Sequence, residues 1–167
     1  KAEILVGDAS EVAFREGKST NEVFKRQKFA YVKKEGAELV PLEEFPYEKE
    51  TEVETLEGLR KVRISSLQYD FLISFTPPKT HNLIMVSATL DNIAFGMVHP
   101  EDRVFLYGGK QDFIEEEIPK LSKLAHKNVA KVASVIKPDY SIIDGLWGME
   151  GKGPIYGSPV FHQFAIC

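Results

Sequence analysis

Three groups of residues in this 167-residue chain have types and spacings suited to chemistry: Lys79-Thr80-His81, the carboxylates Asp144 and Glu150, and glycines 145, 148, 151 and 153. Lys79 can donate to a phosphate or carboxylate as a point charge. His81 ionises near neutrality, so it can serve as base, acid or metal ligand. Four glycines within nine residues permit positive φ and close backbone approach, and their N–H groups can cradle an anion. The run is neither G-x-x-x-x-G-K-[ST] nor G-x-G-x-x-G, so it specifies no nucleotide. On this reading His81, Asp144 and Glu150 are the catalytic candidates that move protons. Lys79, Thr80, Gly148, Gly151 and Gly153 are the ligand-binding candidates for an anionic group. The structural alternative is that Thr80 or Asn82 caps a helix, His81 bonds backbone, Lys79 is solvated and the glycines make ordinary turns. His99, His126 and His162 are weaker candidates. His126 is expected to face solvent, and His162 to be a hydrogen-bonded core residue.

These groups need elements to position them. Glu3 to Val6 is a short β-rich run stopping at Gly7-Asp8. Ser19-Thr20-Asn21-Glu22 fits a capping box, with Gly36 suited to end the helix it opens. Ala37–Val40 then reads as a strand, giving the strand–helix–strand unit of a parallel sheet. Thr51–Leu56 and Lys61–Ile64 flank Glu57-Gly58 as a hairpin. Asp70–Phe75 is a nearly continuous apolar run, expected as a buried strand, and Pro77-Pro78 places Lys79 and His81 on a loop at its C-terminal edge. A helix is expected from His81 or Asn82 through Leu90. Apolar residues from Ile118 to Ile136 recur every three or four positions, with Pro119 in the first turn and Pro138 beyond the end. Tyr140–Ile143 is a strand ending at Asp144-Gly145, with the glycine run as a loop. The expected fold is α/β: an open, mostly parallel or mixed sheet with helices on both faces, in one domain over 1–167. In such sheets ligands bind beyond the strand C-termini. The apolar start and the strand-like Phe161–Cys167 at the end suggest the central part of a longer chain, an incomplete domain.

Composition narrows the function classes. The formal net charge is -4, with 43% apolar and 28% charged residues, a soluble globular profile that argues against nucleic-acid binding. The only cysteine, Cys167, is terminal, so a disulfide or thiolate metal cluster within the chain is excluded and a cytoplasmic setting is expected. No apolar run approaches the roughly 20 residues that span a bilayer. Two further readings stand beside the small-molecule one. The acidic stretch Glu43–Glu57 can face a basic protein partner, though a solvated loop and hairpin is the simpler account. A divalent metal can be held by His81 with Asp8 and Asp144.

Pro77-Pro78-Lys79-Thr80-His81, Leu90-Asp91-Asn92, Phe95-Gly96 and Lys137-Pro138-Asp139-Tyr140-Ser141-Ile142-Ile143-Asp144-Gly145, running into Gly148-Met149-Glu150-Gly151 and Gly153-Pro154, together resemble domain-of-unknown-function family 362. The order is kept over most of the chain, and Val6-Gly7-Asp8-Ala9-Ser10 is similar to the family's early strand. Pro78 and Asp91 stand where family members carry further basic residues. The resemblance implies a prokaryotic α/β domain of no established activity. It adds Asn92 to the ligand-binding candidates. It also implies fusion, in some members, to ferredoxin-like iron–sulfur modules, hence a possible ferredoxin-like partner; the cofactor is unknown, with no iron–sulfur cluster inside this chain.

Overall fold

The computed structural model describes residues 2–167, with positions 12 and 13 as backbone only; Lys1 lies outside the described residues. Strand β1 (Leu5–Asp8) runs parallel to β2 (Glu38–Pro41), with Leu5 opposite Glu38 and Asp8 opposite Pro41. Between them lie α1 (Glu11–Arg15), α2 (Thr20–Arg26) and α3 (Ala30–Lys34). The capping box forms at Ser19 and Glu22, but the single helix expected up to Gly36 is two short ones. The break has a local cause. Lys28 adopts φ 59°, and the N–H groups of Lys28 and Phe29 return to the carbonyls of Lys25 and Phe24, which closes α2 by a Schellman-type turn. Phe24, buried under β2, holds that end in place.

The hairpin is β3 (Lys49–Thr55) and β4 (Gly58–Ile64), antiparallel, with Thr55 opposite Gly58 and Leu56-Glu57 as the turn. Its inner face carries Val53, Val62 and Ile64, all buried. The next strands are β5 (Ile73–Thr76), β6 (Lys79–His81) and β7 (Met85–Ser87). Helix α4 (Thr89–Met97) follows, then α5 (Arg103–Leu106), α6 (Ile118–Ile136), β8 (Tyr140–Glu150) and β9 (Ser158–Ile166).

Helix makes up 34% and strand 32% of the protein, an α/β fold with mixed sheets. The strands divide into three sheets: β1 with β2, β3 with β4, and a five-stranded sheet in which β5 and β6 lie along one side of β8 and β9 along the other. β5–β8 is parallel and β8–β9 antiparallel. The core is laid between the hairpin, α4 and α6, where Val53, Val62, Met97, Leu106, Val132 and Ile136 meet. Helix α6 keeps the expected span and turns Leu121, Ala125, Val129, Val132 and Ile136 inward. Asn128 on the same face is 1% exposed; its amide accepts from the Glu54 N–H and donates to the Glu54 carbonyl, tying α6 to the hairpin.

Three local expectations change. Strand β5 alternates instead of being buried on both faces: Ser74 and Thr76 point inward, while Ile73 and Phe75 are exposed. The reason is α4, whose Thr89 carbonyl accepts the Ser74 hydroxyl at 2.8 Å. Where a helix was expected from residue 81 to 90, β7 stands before α4 begins. The glycine-rich stretch is strand as far as Glu150, where β9 pairs with β8, and turn beyond it, where Gly151 and Gly153 lie.

Candidate functional site

Lys79 is placed by the two prolines. β5 ends at Thr76, Pro77-Pro78 turn the chain, and the Pro78 carbonyl accepts the Met149 N–H at 3.0 Å. Lys79 therefore enters β6 opposite Ser87 of β7 and Met149 of β8, not on a free loop. Its ammonium donates to Thr76 Oγ1 at 3.2 Å and to the Pro77 carbonyl at 3.5 Å. Burial lowers its pKa, and the charges of Asp91 and Asp8, both within electrostatic reach, oppose that fall.

The two acids come from different elements. Asp8 ends β1, and its Oδ1 accepts the Ala9 N–H at 2.8 Å. Its residue surface is open to solvent, yet enough structure crowds the carboxyl that desolvation raises its pKa, against the pull of the Ala9 N–H, Arg103 and Lys79. Asp91 lies in the first turn of α4 and is 8% exposed. The Ser87 hydroxyl donates to its Oδ2, while Oδ1 is buried without a hydrogen-bond partner among the described residues. Burial raises its pKa, with Ser87 and Lys79 opposing.

His81 is 6% exposed. Its Nδ1 accepts the backbone N–H groups of Leu83 at 3.1 Å and Ile84 at 3.4 Å, and its Nε2 lies 2.7 Å from Tyr107 Oη. A neutral imidazole has one N–H. With Nδ1 accepting, the proton is on Nε2 and donates to Tyr107. Desolvation, then the charge of Lys79, lowers the His81 pKa to about 4, so the ring is neutral at pH 7. Tyr107 keeps its own hydroxyl proton, is held against the Phe95 ring at 4.6 Å, and lies within electrostatic reach of Asp91. His81 is thereby a fixed donor that orients Tyr107, rather than a free base.

The structure brings some predicted residues together and separates others. Lys79, Thr80 and His81 are consecutive on β6. The Thr80 hydroxyl donates to the Gly151 carbonyl at 3.0 Å. A Cβ on Gly153 would stand 2.0 Å from the Thr80 carbonyl oxygen, and one on Gly148 would stand 3.1 Å from that of Pro78. These glycines let β8 and the following turn close against β6, so they serve chain packing where an anion cradle was expected. Asp144 and Glu150 occupy one strand six residues apart, about 20 Å at the usual strand rise, and cannot share a substrate proton. Asp144 accepts the Leu146 N–H at 3.0 Å, while Glu150 Oε1 lies 3.4 Å from His162 Nε2. His162 is exposed rather than a core residue. His126 faces solvent, as expected, with Nδ1 2.8 Å from the Ser122 carbonyl. Asn92 is exposed on α4 beside Asp91. No three His, Cys, Asp or Glu side chains among the described residues could hold a metal ion, so the set His81, Asp8 and Asp144 is not assembled. In the acidic stretch, Glu50 pairs with Lys61, Glu54 with Lys127 and Glu57 with Arg60.

Asp91, Tyr107, Ser87 and Arg103 are the site residues that sequence reasoning left out of the candidates. Asp91 stands inside a motif already in view, next to Asn92. Nothing around Tyr107 or Arg103 signals a role, because their partners are 26 and 92 residues away.

The family described as Domain of unknown function (DUF362) matches residues 1–167. No curated protein and no solved structure matches the chain. Among the described residues, no helix is long and apolar enough to cross a membrane.

Proposed function

The chain belongs to the DUF362 family, a domain of unknown function, and we propose that it binds a small anionic molecule at the strand ends around Lys79. The observation that carries this is one half-buried ammonium, bonded to Thr76 Oγ1 and the Pro77 carbonyl, within electrostatic reach of two acids from separate elements, Asp8 from β1 and Asp91 from α4. Both have raised pKa values and Lys79 a lowered one, the pattern found where titratable groups are held for binding or proton transfer. Lys79 contacts the anion. Asp8, whose carboxyl is raised in pKa by desolvation, donates to it or takes part in proton transfer if the ligand is turned over. His81 positions Tyr107, which lies within electrostatic reach of Asp91. Calorimetric titration with inorganic phosphate, methyl phosphate and small carboxylates tests this, with Lys79→Met as control: saturable binding lost in the variant is the expected result.

A second reading, a module that docks a protein partner, draws on a different observation. Phe71, Ile73, Phe75 and Tyr140 are exposed around the outer side of β5 and β8, and apolar residues gathered on one face commonly mark an interface. Such docking is insensitive to salt, unlike docking through Glu43–Glu57 to a ferredoxin-like partner. A cytoplasmic setting, a prokaryotic source and an iron–sulfur association belong to the proposal and rest on the lone cysteine and the family resemblance.

A further inference from the structure

A cavity of about 280 Å³ lies at the tip of the β3–β4 hairpin and shares no lining residue with the Lys79 site. That is close to the lower end of small-molecule sites, roughly 300 Å³. Residues 55–57 and Arg60 form one wall, and Phe105 with residues 108–110 forms the other. The two walls are tied together. The Leu56 N–H donates to the Gly108 carbonyl at 3.0 Å, and the Asn128 amide donates to the carbonyls of Glu54, Phe105 and Leu106. A Cβ on Gly109, which has φ +84°, would stand 3.3 Å from Thr55, so the turn meets the hairpin with bare backbone. Two cations line the space. Arg60, its side chain 43% exposed, donates from Nη2 to Glu57 Oε2 at 3.0 Å and from Nη1 to the Leu59 carbonyl at 3.4 Å. These are its hydrogen-bond partners among the described residues, so most of the guanidinium N–H donors are unspent. The Lys110 ammonium lies 2.6 Å from both Glu117 carboxylate oxygens, and Glu117 Oε2 also accepts the Ile114 N–H at 3.1 Å. Lys110 is thereby an anchored charge.

The paired acids decide what these donors can take. Glu57 is 81% exposed, and a surface pair of this kind is weak beside an oxyanion seated against the guanidinium. Glu57 and Glu117 still hold the rim near neutral, so a second negative charge on a ligand meets repulsion that the first does not. A single carboxylate therefore suits the cavity better than a phosphate dianion. Its two oxygens match the Arg60 fork. Leu56 and Phe105, both packed against the hydrophobic core, are the apolar walls, and they favour a ligand with a compact apolar body. We propose that this cavity is a binding site for a monocarboxylate carried on such a body. The carboxylate sits on Arg60 beside Lys110, and the body lies against Leu56 and Phe105. The inference stands on its own residues and does not need Lys79 to bind an anion.

Benzoate, benzamide and acetate, titrated separately into the ¹⁵N-labelled chain and followed at the amide signals of Leu56, Gly108 and Gly109, test it. Benzoate should give saturable shifts there. Benzamide keeps the ring and loses the charge; acetate keeps the charge and loses the ring. Each should bind about tenfold weaker or worse. Arg60→Met should weaken benzoate by about tenfold or more, and Arg60→Lys, which keeps the charge without the fork, should recover only part of that loss. Lys79→Met should leave these shifts unchanged, which separates this cavity from the anion site. No saturable benzoate shift at those signals in the wild-type chain, or benzamide or acetate binding as tightly as benzoate, overturns the proposal. So does a folded Arg60→Met variant that binds benzoate as the wild type does. The wild-type comparison decides the matter even if that variant fails to fold.

Discussion

His81 and Tyr107 are joined by one short hydrogen bond, Nε2 to Oη at 2.7 Å, whose direction is set by two backbone N–H groups on the far side of the ring. Nδ1 can accept the two backbone N–H groups, and so hold the ring's aim at the phenol, only while the imidazole is neutral. Protonation of Nδ1 would break both backbone contacts and place a second cation beside Lys79.

The first prediction follows from that wiring. The folded-state pKa of His81 is about 4, below the ordinary 6.5. The unfolded chain therefore binds the proton first as pH falls. The stability that neutral His81 confers is intact above about pH 6.5 and is lost as pH drops toward 4, with a slope approaching about 1.4 kcal/mol per pH unit inside that window. Asp8 and Asp91, with raised pKa values, act in the opposite sense at the acid end, so the informative quantity is a difference. Urea midpoints measured between pH 7 and 4.5 should fall more steeply for the wild-type chain than for His81→Gln. Parallel curves would refute the assignment.

The glycines give a second prediction, which separates close approach from backbone conformation. Gly153→Ala puts a methyl against the Thr80 carbonyl, a backbone atom that cannot swing away. Overpacking of this kind costs about 1–3 kcal/mol or more. Gly151 has φ +83° and open space where a Cβ would go, so Gly151→Ala bears only the left-handed penalty of about 1 kcal/mol. Denaturant unfolding of the two variants should rank Gly153→Ala clearly below Gly151→Ala; equal losses would mean that strand β6 does not hold the turn.

Asn128 provides a third. Its side chain bonds both backbone groups of Glu54 and also reaches the Phe105 carbonyl at 3.2 Å. Asn128→Ala removes these contacts and orphans a buried donor and buried acceptors, at about 1–3 kcal/mol for each group left unpaired. A loss of about 3 kcal/mol in chemical unfolding is expected. A change below about 0.5 kcal/mol would show that water replaces the amide without cost.

The parts of this fold that could be read from the sequence are those whose determinants are local. Helix α6 announces itself through nineteen residues of helical spacing and a proline at its start. The β3–β4 hairpin does so through its turn, and α2 through its capping box. Where the sequence misled, a distant segment decides. Asp144 to Glu150 looks like loop because glycines normally break strands, yet β9 supplies a partner along it, and Gly145 and Gly148 admit Phe164 and the Pro78 carbonyl at close range. Ser74 and Thr76 look like minor interruptions of an apolar run until α4 takes their side of β5. At the site, Lys79 and His81 were legible as an unusual pair after two prolines. Asp8 was visible as a strand-end acid. Tyr107 and Arg103 were not, because nothing near them in sequence hints that the chain folds back onto His81 and Glu11.

Asp91 gives the fourth prediction and its sign is informative. At neutral pH the Asp91 carboxylate offsets part of the Lys79 charge, so Asp91→Asn should tighten binding of an anion by a few-fold and lower the Lys79 pKa further. Weaker binding in that variant would instead give Asp91 a direct contact with the ligand as a proton donor. The NMR titration of Lys79, ¹⁵N-labelled at Nζ, reads the accompanying pKa change.

The central claim is that Lys79 holds a small anion. Isothermal titration of methyl phosphate into the wild-type chain and into Lys79→Met tests it most directly. The account predicts a saturable isotherm for the wild type that disappears in a folded Lys79→Met variant. Identical isotherms for the two chains, or none for phosphate, methyl phosphate and small carboxylates alike in the wild type, would contradict it.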